Sequence, residues 1–292
     1  MKYSYLYFRM ARPNQILLIA LVSWGSIMAV NHGYQWLPGS YLMGLGAAIL
    51  ISISIHYANE YADYEIDKLT IRTPYSGGSG ALQDSGFDRS LALKGATVTL
   101  MLGIALALVS GYLGYLTVQG IGMLFLAVLL GWGYSMEPVK LAWRGWGELA
   151  NAFLGAFLLP VYGYSVISLQ VDRAIILALL PFALLAFVNL LATHWADRAA
   201  DRVVGKITLS NSISVNRLRS IYALSIVVAY ISVYWYSSYP QIVRLCSMAV
   251  LPLSIWASIR FAKQHSPAPS VIPMVVFLIV QIFSWSYYLL VV

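Results

Sequence analysis

The chain has 292 residues, 60% of them hydrophobic and only 10% charged, with a mean hydropathy of +0.74. Soluble domains carry roughly 25% charged residues, so a soluble fold is excluded and an all-α polytopic membrane protein is expected, because helices satisfy their own backbone in lipid. The formal charge of +7 does not point to nucleic acid, since the basic residues are confined to loops between apolar runs.

Met1 to Arg12 is basic and aromatic, and no small-residue cleavage pattern follows it, so no cleavable signal peptide is expected. Nine spans are then predicted, at about 14–31, 41–66, 91–112, 117–135, 147–168, 173–196, 219–237, 242–262 and 271–291. The second and sixth are long enough to carry polar ends into the interface. Cys246, the only cysteine, lies in an apolar run, so there is no intrachain disulfide and no cysteine metal site.

Charge sets the orientation. Sixteen of the eighteen basic residues fall on the side of the N-terminus, with Arg173 and Arg244 on the other. The positive-inside rule places the N-terminus in the cytoplasm and, after nine spans, the C-terminus outside. All the acids except Asp172 also lie on the N-terminal side. Acids contribute little to topology, so their segregation points to an active site facing the cytoplasm.

The second span ends in Asn59, Asp63 and Asp67, spaced i, i+4, i+8. On a helix these share one face, a plausible hard-cation site. The sixth span ends in Asp197 and Asp201, and laying one motif on the other matches Asp63 with Asp197 and Asp67 with Asp201. A single acid pair at a helix end is usually just solvated. Two in matching context imply one site bracketed from two sides. They also imply two four-helix halves in parallel repeat, residues 1–136 and 137–262, with a ninth helix at 263–292, all in one domain.

Four aspartates would repel an anionic substrate. Two Mg²⁺ ions would convert them into a diphosphate receptor, with Arg72, Lys140, Arg198, Arg202 and Lys206 available for the outer phosphate oxygens. This set suits ionisation of an allylic diphosphate, where charge grows on the leaving group. Aromatics near the cytoplasmic ends, among them Tyr61, Tyr134, Trp143, Tyr162, Tyr164 and Trp195, would shelter the allylic cation. The loop after the first motif contains Gly77, Gly78 and Gly80, whose backbone can approach an anion closely, so it is expected to close over the diphosphate. His56 and His194 are possible proton carriers. Glu148 opens the fifth span, where it would act as a base, orient an acceptor, or simply favour a helix N-terminus.

These residues resemble the UbiA superfamily of membrane prenyltransferases. The resemblance rests on Asn59-xxx-Asp63-xxx-Asp67, on Asp197-xxx-Asp201 followed by Gly205 and Lys206, on the link from Tyr134 through Pro138 to Lys140, and on Arg12-Pro13-Asn14. It implies Mg²⁺-dependent transfer of a prenyl chain from its diphosphate to an acceptor, commonly an aromatic ring. Asn59, Asp63 and Asp67 would serve one metal ion, and Asp197 and Asp201 the other. Tyr134 would join the diphosphate contacts, and Asn14 and Asn151 would contact the acceptor. Gly145, Gly147 and Glu148, with Gly155, Pro160, Val161 and Gly163, are similar to the MenA-type branch, whose acceptor is 1,4-dihydroxy-2-naphthoate. Acceptors of other branches are 4-hydroxybenzoate, geranylgeranylglyceryl phosphate and haem. A transporter is the rival from another class, but the acids sit at helix ends and none lies at mid-span. A scaffold with solvated acidic ends does not account for the duplicated spacing.

Overall fold

The structure, a computed structural model, describes residues 2–12, 15–69, 78–236 and 239–291. They form helices and no strand. In chain order these are α1 (Tyr3–Ala11), α2 (Gln15–Asn31), α3 (Pro38–Ala62), α4 (Tyr64–Asp67), α5 (Ala81–Ser85), α6 (Ser90–Tyr112) and α7 (Val118–Ser135). After a 3₁₀ turn at Leu141–Trp143 come α8 (Gly147–Ser168), α9 (Arg173–Val203), α10 (Leu209–Ser212), α11 (Val215–Trp235), α12 (Gln241–Arg260) and α13 (Ala268–Val291).

Among the described residues, eight of these helices are long and apolar enough to cross a membrane. The ninth expected span, the first in the chain, is a shorter apolar helix over Leu17–Asn31. α9 runs seven residues beyond its expected end at residue 196, so Asp197 and Asp201 lie within the helix and not after it. Val98, Met101, Leu102 and Leu108 on α6 and Leu224, Val227 and Ile231 on α11 are exposed. Such faces fit lipid, where lateral packing is driven by close contact and not by exclusion of water.

Close contact is carried by small residues. A Cβ on Gly25 of α2 would lie 1.9 Å from the Pro160 carbonyl oxygen, and one on Gly163 of α8 would lie 2.1 Å from that of Val22. The two backbones therefore touch at a reciprocal glycine crossing, fastened by Ser26 Oγ donating to Gly163 O at 2.9 Å. Trp24, Tyr162, Tyr164, Phe182 and Phe277 fill the adjoining core. Within α8, residues Phe153–Leu158 wind as a π-helix, with α-helical turns on either side.

A second, smaller core forms where α3 ends. Leu6 and Met10 of α1 pack with Tyr57, Ala58, Leu82 and Ala92. This packing clamps α1 and α5 against the first acidic motif.

Candidate active site

The first motif straddles a helix break. α3 stops at Ala62, and Asp63 leaves helical geometry with φ −92° and ψ 7°. The backbone nevertheless keeps i→i−4 bonds from Asp63 N to Asn59 O and from Asp67 N to Asp63 O, each 2.9 Å. The spacing therefore survives the break. Asn59 Nδ2 donates to Asp63 Oδ2 and to Ser135 Oγ, both at 2.7 Å. Its Oδ1 accepts from Arg12 Nη2 at 3.0 Å. Asn59, expected to ligate a metal ion, here has its oxygen engaged by Arg12 while its amide nitrogen orients Asp63.

Sequence reasoning gave Arg12 no role and missed Glu60 altogether. Glu60 is 1% exposed. Its Oε1 accepts from Arg12 Nη2 at 2.6 Å and from Ser79 N at 2.9 Å, and its Oε2 accepts from Ser79 Oγ at 2.7 Å. The available signal was an acid beside Asn59 on an apolar helix, since a buried carboxylate requires a cation and donors. Arg9 adds a bond to Ser79 O at 2.9 Å. The described end of the glycine loop is thus tied to the protein, and Ser79 N is already given to Glu60. Gly78 has φ +68°, and a Cβ there would lie 2.0 Å from Asp67 Oδ2, so the loop backbone rests on the Asp67 carboxyl. Burial pushes Asp67 up to about 7, with Asp63 and Glu60 adding to the effect. Gly77, Arg72 and Asn14 lie outside the described residues.

The second motif is set by α9 and the turn that ends it. His194, Asp197 and Asp201 are spaced i, i+3, i+7 and share one face. Gly205 reverses the chain with φ +74°. Lys206 N then bonds Asp201 O at 2.9 Å, and Asn211 Nδ2 holds Lys206 O at 2.7 Å. These bonds aim Lys206 back at the helix, with Nζ 3.4 Å from Asp201 Oδ1. Burial opposes the Lys206 ammonium, but Asp63 and Asp201 outweigh it, with Asp197 helping, and hold it above the usual lysine range. Lys206 therefore stands between residues of both motifs.

Asp201 has no exposed surface. Neither of its carboxylate oxygens has a hydrogen bond, and Asp63 Oδ1 is buried without one as well. Buried acceptors in that condition call for an ion or a ligand. Among the described residues no three acidic, histidine or cysteine side chains form a ready-made metal cage.

Other expected diphosphate contacts have partners within the protein. Arg198 stacks on Trp195, its Cζ 3.5 Å from the ring centroid. Arg202 Nη2 donates to Asn211 O at 3.3 Å. Each follows an aspartate by one residue, and that step turns a side chain roughly 100° around the helix, off the acidic face. Lys140 pairs with Glu137 at 2.9 Å and lies over Trp143. Tyr61 is covered by Arg89. Tyr164 donates to Asp172 at 2.5 Å, at the opposite end of α8 from the acidic motifs. Tyr162 donates to Gly44 O at 2.8 Å.

Tyr134 approaches the acids. Its hydroxyl lies 3.5 Å from His194 Nε2 and within hydrogen-bond reach of Asn151, and Asp63 and Lys206 act on it electrostatically. Glu148 is fully buried behind His194, with Oε1 3.0 Å from Nδ1. It is too enclosed to meet an acceptor directly. Its neighbourhood is braced by the loop after α9: Gly145 N donates to Ile207 O at 2.9 Å and Ile207 N to Trp143 O at 3.1 Å.

The UbiA prenyltransferase family matches residues 17–289 of the chain. No curated protein matches it. Among solved structures, digeranylgeranylglyceryl phosphate synthase superposes with a TM-score of 0.71 at 17% identity, covering 98% of this chain and 99% of that one. A UbiA homolog from Archaeoglobus fulgidus bound to GPP and Mg²⁺ gives 0.66 at 19% identity, covering 96% and 99%. The apo structure of a UbiA homolog from Aeropyrum pernix K1 gives 0.65 at 14% identity, covering 99% and 98%. At these identities the likeness establishes a shared fold.

Proposed function

Because this chain belongs to the UbiA prenyltransferase family, we propose that it moves a prenyl chain from an isoprenyl diphosphate to an aromatic acceptor, specifically a dihydroxynaphthoate. The observation that carries the donor half is the meeting of both acidic motifs around Lys206, with Asp63 Oδ1 and Asp201 Oδ2 buried without a protein hydrogen bond. The relative from Archaeoglobus fulgidus binds GPP together with Mg²⁺, which supports the same donor class and metal here. Asp63 and Asp67 would hold one Mg²⁺ ion and Asp197 and Asp201 a second. Bound Mg²⁺ supplies the positive charge that makes an acidic cluster a diphosphate receptor. Lys206 binds a phosphate oxygen and steadies the leaving group as negative charge grows on it. The choice of a dihydroxynaphthoate rests on the likeness of the Gly145–Glu148 and Gly155–Gly163 stretches to the MenA-type branch.

The test is transfer by purified protein with geranylgeranyl diphosphate and Mg²⁺, read by mass spectrometry. The acceptors are a dihydroxynaphthoate, 4-hydroxybenzoate and geranylgeranylglyceryl phosphate. Preferred prenylation of the naphthoate, abolished by EDTA, is the expected result. Preference for either other acceptor sinks the branch assignment alone. Transport with no prenylated product would sink the enzyme reading. Asp63→Ala and Asp197→Ala should each lower the rate at least ~100-fold. Their double variant should fall far short of the product of the two losses, as for groups that act as a unit.

A further inference from the structure

Donor ionisation leaves the Glu148–His194 pair unused, and its geometry is that of a held base. Glu148 Oε1 accepts from Leu209 N at 2.9 Å and Ser210 N at 3.4 Å, and lies 3.0 Å from His194 Nδ1. Its Oε2 is buried without a hydrogen bond. Nδ1 lies within ion-pair distance of Oε1 but makes no well-aligned hydrogen bond to it; in the tautomer with the proton on Nδ1, Nε2 is the proton acceptor. The ring lies beside Gly147, where a Cβ would be 3.4 Å from His194 Cε1.

Nε2 faces Tyr134, away from Glu148. Its protein neighbour is the Tyr134 hydroxyl at 3.5 Å, which is too long for a strong hydrogen bond. Tyr134 in turn is near Asn151, a residue with an exposed side. His194 shares its helical face with Asp197 and Asp201, so an acceptor beside the ionising diphosphate lies on the same side of α9. The charged groups acting on this corner are Glu148 and Asp201 on the imidazole, and Lys206 and Asp63 on the Tyr134 phenol.

We propose that His194 Nε2 takes the hydroxyl proton of the prenyl acceptor, with Glu148 as the fixed counter-charge behind it. This rests on the prenyl-transfer reading given above. In the step, an acceptor ring carbon bonds to C1 of the prenyl chain while the C1–O bond breaks. Diphosphate departs with that electron pair. The hydroxyl proton passes to Nε2, and the O–H pair becomes a ring carbonyl. A naphthoate attacked at its carboxylated carbon then loses CO₂, returning electrons to the oxygen and the proton from His194 to that oxygen. An acceptor attacked at a C–H carbon sheds that proton to water, and the carbonyl oxygen again recovers its own. His194 would thus be a catalytic residue and Glu148 a positioning residue.

Two variants test this in the full-length protein. His194→Gln keeps a polar side chain but cannot carry the proton. Glu148→Gln can retain the Oε1 contacts through its amide oxygen while losing the charge. Each is assayed with Mg²⁺, geranylgeranyl diphosphate and two acceptor analogues of one ring system, one with a neutral hydroxyl at the assay pH and one with an acidified hydroxyl already ionised. For the neutral acceptor, kcat should fall ~100-fold or more in His194→Gln, the usual range for loss of a general base, and less in Glu148→Gln. For the ionised acceptor the losses should shrink at least tenfold. Thermal stabilisation by Mg²⁺ with diphosphate should stay as in the wild type. Equal losses with both acceptors, or wild-type rates in His194→Gln, would overturn the assignment. So would loss of diphosphate-induced stabilisation in both variants, which would make the pair a clip for the loop after α9. If the wild type prenylates no acceptor, the function reading itself fails. An active wild type with unaffected variants removes only the proposed base.

Discussion

Arg12 Nη2 and Glu60 Oε1 approach to 2.6 Å, with the Glu60 side chain wholly enclosed. Removing the cation strands a buried carboxylate, so Arg12→Met should destabilise the protein by about 3–5 kcal/mol. Paired with Glu60→Gln it should cost less than the sum, as measured by denaturation in detergent. Arg12→Met also removes the bond that anchors Asn59 Oδ1, so Asn59 orients Asp63 less firmly and activity should fall beyond what stability explains. Lys206→Met should raise the KM for diphosphate ~10- to 100-fold, the equivalent of about 1.5–3 kcal/mol for a charged hydrogen bond, with Lys206→Arg intermediate. Steady-state kinetics at saturating Mg²⁺ would show it. At this scale the sequence exposed the acids through their repeated spacing. It did not show which cations answer them, because Arg198 and Arg202 sit one residue away from the aspartates and a single residue decides the helix face. Lys206, three residues beyond α9, is brought back by the turn at Gly205, and Arg12 arrives from a separate helix.

The helices themselves were largely legible, since hydropathy and length directly reflect the thickness of a bilayer. What hydropathy does not encode is where a helix yields. Neither the interruption of α3 at Asp63 nor the continuation of α9 through its acids could be seen from apolar runs alone. Lateral packing was also hidden, because glycines on α2 and α8 gain meaning only once the helices cross. Gly163→Ala forces a Cβ against Val22 O and should cost about 3 kcal/mol or more, toward the severe end for overpacking. Ser26→Ala, which removes only a hydrogen bond, should cost about 1 kcal/mol. Thermal denaturation of the two side by side checks the contrast. Gly78→Ala should raise several-fold the Mg²⁺ concentration giving half-maximal thermal stabilisation, because its Cβ displaces Asp67. Gly86→Ala shares the positive φ, +67°, but has open space around it, and should leave that concentration unchanged.

For the whole molecule, the two motif-bearing helices deliver their C-terminal ends to one place, as residues of both motifs act on Lys206. Charge segregation predicts that this place faces the cytoplasm. In a Cys246→Ser background, Asp88→Cys should resist an impermeant thiol reagent applied to intact cells, while Tyr115→Cys should react; the reverse pattern would invert the orientation. One feature inside α8 bears on how both ends of this span work at once. Near its start, Glu148 must face His194; near its far end, Gly163 must face Val22. The π-wound stretch Phe153–Leu158 lies between them and holds one residue more per hydrogen-bonded turn than an α-helix would. That surplus offsets the angular phase of one end against the other by roughly 100°. The aim of Glu148 at His194 and the packing at Gly163 are thereby decoupled on a single rod. The site becomes sensitive to a kind of change that no substitution scan samples: deleting Gly155, which touches nothing with a Cβ, would rotate one partner out of reach.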